Sequence, residues 1–529
     1  MGRYGVLIFT ATWISIGLNG DAYADTGGEH VQSIRHAAKD AGQLAETAAF
    51  KGAAIAVATE IVVPAQAPEP AGAGNGPRKT GVVYALPEPA RLDAMPWQSL
   101  GDGGYAIKLK VHADRAKRLR LHLRIEGERS ELQIRLMGNM PGSVVKLVPA
   151  GVFAGGDIWL PLTDGDDVVL ELYAPSQAAR DAMGAVMLDR VNYLYAAVDG
   201  GQFAGLGRAQ MTQHDVACWP NSSAYNELLK AASATPVIHY LSSNGGSYVC
   251  SGTLLNDMNN SGTPWFITAN HCLGDQYAAG SASFEWYFQA TACGSTNLDS
   301  RYKETFGGAQ LLWTDLTYDV SLLKLNTKPP YGVMYAGWDS NPLVIGQKVW
   351  GIHHPKSDYT MANLGNVAAL KQASKASNGV TRILNQVSYS YGGAEEGSSG
   401  SGVFVADSTG HAFFGTLSSR STGNYQTTYY SPFDAYYPYI KPYLNPDGND
   451  NDCFFSWAES KYAQYFPGPA NTTGYQTYNY RYYPSVGSYL AINQADDNVY
   501  VLIPNVLGSL TSIGAKSGWI GQAKAAGCK

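Results

Sequence analysis

The stretch that decides the fold is Glu396-Gly397-Ser398-Ser399-Gly400-Ser401-Gly402, which runs directly into the apolar Val403-Phe404-Val405. Two earlier segments belong with it. Thr268-Ala269-Asn270-His271-Cys272 follows the apolar Trp265-Phe266-Ile267, and Asp319 opens the run Val320-Ser321-Leu322-Leu323. A histidine, an aspartate and a serine therefore occur in this order, each beside a strand-like segment.

Ser399 is the candidate nucleophile of this set. Gly397 and Gly400 allow backbone angles that are closed to other residues. The turn can therefore aim the N–H groups of Gly397 and Ser399 at one point, as an oxyanion hole requires. A Gly/Ser stretch can also be a flexible linker. Because this one enters an apolar strand without interruption, the sequence favours an active-site turn.

His271 and Asp319 are the candidate base and the group that orients it. Cys272 can staple the turn of His271 to Cys250, and a base must be held in place to act. Asp319 would orient the imidazole and stabilise its cation. Asp315 is the competing candidate. We favour Asp319 because it abuts the apolar run, where its carboxylate would be desolvated near the histidine.

Other polar clusters are assigned structural roles. His353 and His354 are adjacent, so on a strand their side chains point to opposite faces and do not form a metal pair. The acidic run from Asp447 to Asp452 lacks the Gly and Glu placing of a calcium loop and is predicted to be a linker. We therefore expect no metal and no cofactor.

The composition limits the partners and the class of the protein. At 529 residues the chain should form two to four domains. Hydrophobic residues make up 45% and charged residues 15%, which is typical of a globular protein. The formal net charge of −6 gives no reason to expect nucleic acid or an anionic membrane as a partner.

Residues 1–24 resemble a secretory signal peptide, with Arg3, an apolar run and Ala22-Tyr23-Ala24 as a cleavage site. We therefore expect a secreted, extracellular protein. In an oxidising compartment six cysteines suggest disulfides, although spacing alone cannot choose among the pairings. One closing disulfide, Cys453–Cys528, is suggested by a cysteine near each end of the C-terminal region.

The chain divides into four predicted regions. Residues 1–24 are the signal peptide and 25–206 a propeptide, with a short helix in 25–50, a linker over 51–82 and a β-sandwich over about 83–200. Alternating Leu119, Leu121 and Leu123 predict one of its half-buried strands. Residues 207–445 show many short β runs, and 446–529 form a C-terminal accessory domain.

Several motifs together resemble the bacterial lysyl endopeptidase family, a branch of the chymotrypsin-like serine proteases. They cover about residues 207–440 and are Asp215-Val216-Ala217-Cys218, Cys250-Ser251-Gly252-Thr253-Leu254-Leu255-Asn256, Phe266-Ile267-Thr268-Ala269-Asn270-His271-Cys272, Leu322-Leu323-Lys324-Leu325-Asn326, Ala336-Gly337-Trp338-Asp339, Ile352-His353-His354-Pro355 and Gly397-Ser398-Ser399-Gly400-Ser401. The resemblance implies an all-β, chymotrypsin-like double β-barrel. A β-rich, sandwich-like prosegment would precede it, and a small disulfide-closed α+β or β domain would follow. It also implies the triad His271, Asp319 and Ser399 and the disulfides Cys250–Cys272 and Cys218–Cys293.

The resemblance weakens at the pocket that selects lysine. The candidate residues for this pocket are Gly393, Leu417, Ser418, Ser419 and Asn424. Ser418 stands where the family has a histidine, and Asn424 is the nearest match to the pocket aspartate. A buried ammonium without a carboxylate would be strongly penalised. We therefore expect a P1 preference other than lysine.

The sequence thus predicts a secreted serine endopeptidase that is made as a zymogen and acts as a monomer on protein or peptide substrates. Its own prosegment would be its other partner. The alternative from another class is a catalytically inactive, protease-like binding or adhesion protein.

Overall fold

A computed structural model describes most of the chain. The described residues are 28–36, 47–67, 77–149, 155–195, 213–219, 223–376, 378–407, 410–467, 470–475, 478–493, 496, 498–504 and 506–526. The predicted signal peptide, the predicted boundary between propeptide and protease domain at 206–207, and Cys528 lie outside them, as does the predicted Cys453–Cys528 bond. No described helix is long and apolar enough to cross a membrane.

Two mainly antiparallel sheets enclose the core of the first region, between residues 47 and 194, and Thr59–Val63 is the strand that pairs parallel, with Tyr105–Ala113. The strands of one sheet follow the order Thr47–Ala48, Val145–Pro149, Gln133–Gly138, Asp167–Ala174, Tyr105–Ala113 and Thr59–Val63, with Gln98–Ser99 beside Tyr105–Ala113. The other begins with Asp157–Trp159, Arg118–Ile125, Val186–Leu194 and Arg78–Arg91, with Thr163–Asp164 beside Arg118–Ile125. Inward Leu119, Leu121 and Leu123 are buried between the sheets, as the period-two pattern predicts. The strand is not half-buried as predicted, because Arg118, Arg120 and His122 on its other face are buried too.

The second of these sheets continues into the next region. Strand Arg78–Arg91 pairs antiparallel with Gly246–Ser251, which is followed in the sheet by Val237–Leu241, Ser283–Trp286 and Lys303–Thr305. Phe306, beside the last of these strands, is 1% exposed and packs into the core of the first region. One continuous sheet therefore joins the predicted prosegment to the predicted protease domain.

Two half-barrel sheets form the region that carries His271 and Asp319. The Gly246–Ser251 sheet packs across a shared core from a four-stranded sheet. The order of that sheet is Thr253–Leu255, Trp265–Thr268, Val320–Leu325 and Ala309–Asp315. Both candidate residues lie at one end of this sheet, since His271 follows one strand and Asp319 precedes the neighbouring strand.

The region that carries Ser399 closes into a ring of six antiparallel strands. Going round the ring, the strands are Gly410–Ser421, Gly402–Asp407, Lys348–His353, Met361–Lys375, Thr381–Tyr391 and Asn424–Pro432, and the last pairs with the first again. Trp338–Asp339 extends this sheet and pairs in turn with His30–Val31, while Met334–Tyr335 pairs with Ile34–Arg35. The mainly β, double-barrel architecture that the sequence predicted is confirmed.

Helices connect and terminate these sheets. Their bounds are Gln177–Ala182, Val216–Cys218, Ser223–Ser233, Asn270–Leu273, Gln276–Ser281, Pro355–Ser357, Phe433–Leu444, Pro446–Lys461 and Lys516–Ala525. The last two pack on a five-stranded antiparallel sheet of Asn471–Tyr475, Tyr478–Tyr483, Ser488–Asn493, Asn498–Ile503 and Leu507–Ala515. This C-terminal unit therefore has its own core.

Two local predictions were wrong, and a third is tested only in part. The described residues 28–36 and 47–50 contain short strands that pair with strands far along the chain, while the rest of the predicted helical segment 25–50 lies outside the described residues. The predicted linker 51–82 contains strand Thr59–Val63 and the start of Arg78–Arg91. The acidic run from Asp447 lies in helix Pro446–Lys461, where Pro and acidic residues suit the first turn.

Candidate active site

His271 and Asp319 form a tight pair at the end of the four-stranded sheet. Nδ1 of His271 lies 2.7 Å from Oδ2 of Asp319, and the His271 backbone N–H donates to Oδ1 at 3.1 Å. The Asp319 side chain is fully buried. Asp319 has φ +53°, in the left-handed region that aspartate tolerates better than most residues. The carboxylate therefore fixes both the ring and the backbone of the histidine.

Two further side chains from the six-stranded barrel contact the same carboxylate. Ser418 donates to Oδ2 at 2.6 Å, and Nη1 of Arg382 lies 2.9 Å from this oxygen. Burial raises the pKa of Asp319, but His271, Arg382 and Ser418 outweigh that effect and hold the pKa below its ordinary value. The carboxylate is therefore ionised at neutral pH. Asp315, the competing candidate, instead accepts from the N–H of Tyr318 at 2.8 Å and does not orient His271.

The Ser399 turn packs against the segment that leads into His271. Ser399 is 4% exposed, and its carbonyl accepts from the N–H of Ser251 at 2.8 Å. Gly400 has φ +84°, and a Cβ there would lie 2.1 Å from Oγ1 of Thr268 and 3.0 Å from the N of Ala269. The Ser399 turn and the segment that precedes His271 therefore pack together where the two barrels meet, without a hydrogen bond between Oγ of Ser399 and Nε2 of His271. Nε2 of His271 is buried and has no hydrogen-bond partner among the described residues.

The backbone of the turn is arranged as an anion site would require. Gly397 has φ +88°. Within the described residues no group accepts a hydrogen bond from the N–H of Gly397 or of Ser399, whereas Ser398 and Gly400 donate to Glu395 and Leu417. Two amides of the turn are thus available for an external oxygen.

A buried histidine supports this turn from behind. Nδ1 of His353 lies 2.7 Å from Oγ of Ser398, and the same oxygen accepts from the N–H of Glu395 at 3.1 Å. Burial lowers the pKa of His353 to about 3, so the ring is neutral. His354 faces elsewhere and bonds the carbonyls of Thr235 and Asp358. The two rings therefore bind different partners and do not face one common point.

Two disulfides brace the surrounding segments. Cys250 is bonded to Cys272, beside His271, and Cys218 is bonded to Cys293. The first bond ties the His271 turn to strand Gly246–Ser251, whose last residue contacts Ser399. The turns of His271 and Ser399 are therefore anchored to the same strand end.

The five candidate pocket residues differ in burial and in their contacts. Leu417 is packed in the core of the six-stranded barrel, and Ser418 is engaged with Asp319. Ser419 follows on the same strand and is half-buried, whereas Asn424 is exposed beside the Thr422-Gly423 turn and its side chain accepts from the N–H of Gln426. Gly393 packs against the backbone of Tyr425. Asn424 therefore cannot replace a buried pocket carboxylate.

Arg382 is the site residue that sequence reasoning missed. It lies in a strand of alternating character, more than 60 residues after Asp319, and no local motif marks it. Only the closure of the six-stranded barrel brings it to the aspartate.

Two protein-family models match the chain. The family described as "Lysyl endopeptidase, C-terminal domain" matches residues 206–436, and "Lysyl endopeptidase N-terminal domain" matches residues 53–194. The chain belongs to the lysyl endopeptidase family. Together the two matches cover well over half of it, and they place it among the peptidases.

Individual relatives match larger or smaller parts of the chain. The lysyl endopeptidase of Pseudomonas aeruginosa is 28% identical over 384 residues, which are 69% of this chain and 80% of that protein. The secreted RxLR effector protein 73 of Plasmopara viticola is 30% identical over 39% of this chain and 52% of its own length.

Solved structures are similar only at a distance. The active form of the Rv3671c protease from M. tuberculosis has 16% identity and a TM-score of 0.30, covering 45% of this chain and 93% of that one. The HtrA-type protease AlgWS227A with a tripeptide has 18% identity and a TM-score of 0.31, covering 42% and 64%. At these scores the likeness adds nothing to the argument.

Proposed function

We propose that the chain is a serine endopeptidase with His271, Asp319 and Ser399 as its catalytic triad. The observation that carries the proposal is the His271–Asp319 pair, which leaves Nε2 of the ring open while the Ser399 turn packs beside it. This is the arrangement that a general base needs before it activates a serine hydroxyl.

In this mechanism Oγ of Ser399 attacks the peptide carbonyl while Nε2 of His271 takes the hydroxyl proton. The carbonyl oxygen becomes an oxyanion, which the N–H groups of Gly397 and Ser399 stabilise. His271 then gives its proton to the leaving amine, and an acyl-enzyme remains. Water, activated by the same imidazole, releases the acid. Asp319 holds the ring and stabilises its cation throughout.

The proposal includes secretion and synthesis as a zymogen. It divides the chain into a signal peptide (1–24), a propeptide (25–206), a protease domain (207–445) and an accessory domain (446–529). Support comes from the strand Arg78–Arg91, which extends the protease sheet, and from the buried contact of Arg118 with Glu285. Arg78 also donates to the carbonyl of Lys356. The N–H of Lys356 in turn donates to the carbonyl of Glu396 at 2.6 Å, so the propeptide touches the segment next to the oxyanion turn.

Lysine is not the proposed P1 residue. Asn424 is exposed and carries no charge, and Ser418 is engaged with Asp319. The buried carboxylate of Glu395 lies 2.9 Å from Nζ of Lys356, so it is already paired within the protein. A substrate ammonium would therefore be desolvated without a free counter-charge.

The deciding experiment is covalent labelling of the processed protein with an organophosphorus fluoride, followed by peptide mapping. We expect the label on Ser399, and its loss together with peptidase activity in Ser399→Ala. Ser401→Ala is the matched control, because it removes from the same turn a buried hydroxyl that has no described partner. It should keep both label and activity. A folded, processed protein that takes no label would instead support an inactive, protease-like binding or adhesion protein.

A cleavage-site profile on a denatured protein mixture tests the pocket. We expect lysine not to dominate the P1 position. A profile with cuts almost only after lysine would overturn this part of the proposal while leaving the triad intact.

A further inference from the structure

Arg382 places a second cation on the carboxylate that orients His271. The residue lies near the start of strand Thr381–Tyr391, and its side chain is 12% exposed. Its Nη1 lies 2.9 Å from Oδ2 of Asp319 and 3.1 Å from Oγ of Ser418. The next residue, Ile383, donates its backbone N–H to the carbonyl of Thr317 at 2.9 Å. The guanidinium is therefore held at the aspartate by its own strand.

The imidazole and the guanidinium share one oxygen atom. Nδ1 of His271 lies 2.7 Å from Oδ2 of Asp319, and Nη1 of Arg382 lies 2.9 Å from it. The two nitrogens can be no farther apart than these distances laid end to end, about 5.6 Å. An arginine stays protonated at every pH at which an enzyme works. When His271 takes up a proton, it therefore becomes a cation beside a permanent cation.

The other groups around the carboxylate do not offset this effect. Ser418, on strand Gly410–Ser421, also contacts the carboxylate, and its hydroxyl is neutral. On the turn of Asp319 itself, Asp315 is turned to the N–H of Tyr318, and burial raises the pKa of Tyr318, so its phenol is neutral as well. Among the described groups, the charged ones that act most strongly on Asp319 are His271 and Arg382.

We propose that Arg382 is a positioning residue that lowers the proton affinity of the His271–Asp319 pair. It does so by sharing the carboxylate, so that the base stays unprotonated, and the enzyme active, at more acidic pH. The inference rests on the proposed function, because it concerns the same triad. Two unit charges about 5.6 Å apart at an effective dielectric constant near 20 correspond to about two pH units. Because the Arg382 side chain is partly exposed, we expect a shift of about one.

The test compares Arg382→Met with Arg382→Lys through the pH profile of kcat/KM on a peptide amide substrate. In Arg382→Met the acid limb should move to higher pH by about one unit, whereas Arg382→Lys should keep it within a few tenths. A purely structural role would lower kcat/KM by the same factor at every pH and leave the midpoint unchanged, which would overturn the inference. Arg382→Gln replaces Arg382→Met if the latter does not fold.

A second measurement separates this inference from the proposed function. The protonation midpoint of the His271 ring can be followed by NMR in the Ser399→Ala protein, with and without Arg382→Met, and needs no catalysis. We expect the midpoint to rise by about one pH unit when Arg382 is replaced. An unchanged midpoint refutes the role of Arg382. Absence of peptidase activity and of label in the otherwise unchanged protein refutes the proposed function alone.

Discussion

Replacing Glu285 with glutamine should remove the ionic part of a buried contact between the proposed propeptide and the proposed protease domain. Oε1 of Glu285 lies 2.9 Å from Nη2 of Arg118 and accepts from Tyr302 at 2.8 Å, while Oε2 lies 2.9 Å from Nε2 of His239. The side chains of Arg118 and Glu285 are 7% and 1% exposed. Glu285→Gln would leave the Arg118 guanidinium buried beside a neutral amide.

The size of the effect follows from this burial. Removing one partner of a buried ion pair costs about 3–5 kcal/mol. Arg118 keeps a second anion, Asp164, whose oxygen lies 3.0 Å from its Nε, but that side chain is 37% exposed. We therefore expect Glu285→Gln to lower the free energy of unfolding by about 3 kcal/mol. For a cooperative unit of 150–250 residues this corresponds to a fall in Tm of about 6–12 °C.

The assay is thermal unfolding of the unprocessed protein in the Ser399→Ala background, which prevents self-cleavage. Glu60→Gln is the matched control, because this acid pairs with Lys110 at the surface, where such pairs contribute about 0–1 kcal/mol. Burial raises the pKa of Glu285, but Arg118 and His239 outweigh it and hold the pKa well below its ordinary value. The stability that ionised Glu285 contributes is thus fully present above about pH 4.3, the pKa of an unfolded glutamate, and is lost only as pH falls through the lower pKa of the folded state. A Tm within 1 °C of the parent at pH 7 would refute the reasoning.

Two further predictions concern the Ser399 turn. Gly400→Ala should lower the free energy of unfolding, measured by denaturant titration, by about 3 kcal/mol or more, because the new Cβ would overlap Thr268 at a φ of +84°. Gly423→Ala is the control. That glycine has φ +74° with open space around it, so the same titration should show a loss of only about 1–2 kcal/mol. His353→Gln should flatten the rise in unfolding free energy between about pH 3 and pH 6.5. In that window the unfolded histidine binds a proton that the buried ring, with its pKa lowered to about 3, does not. An unchanged slope would mean that the ring is protonated in the folded state.

Local sequence was enough to predict the parts of the site that lie next to strands. His271 and Asp319 each flank an apolar run, and the two runs pair antiparallel, with Thr268 opposite Ser321. Pairing in this register necessarily brings the two ends together. The glycines around Ser399 were equally informative, because Gly397 and Gly400 both have positive φ. These features depend on residue type and short spacing, which a single sequence contains.

The segments that the sequence misplaced depend on partners far along the chain. Thr59–Val63 and the start of Arg78–Arg91 lie in a stretch rich in Ala, Pro and Gly, which has low strand propensity. They form strands because each finds an edge to extend: Tyr105–Ala113 for the first and Gly246–Ser251 for the second. The local amino-acid composition does not show that a distant strand edge is free to pair with these segments.

Arg382 shows why the remaining site residues escape sequence reasoning as well. Its contact with Asp319 requires that the six-stranded barrel close and that this barrel then dock against the sheet that carries His271. Neither event imposes a characteristic sequence spacing between Asp319 and Arg382. The contact therefore also reports on how the two barrels are docked. Both Arg382 and Ser418 reach Asp319 from the barrel that also carries Ser399. Any change that loosens the packing of the two barrels would therefore move the Ser399 turn away from His271 and Arg382 away from Asp319 together. An acid limb that shifts in proportion to the loss of kcat/KM, across substitutions at the barrel interface, would identify this coupling.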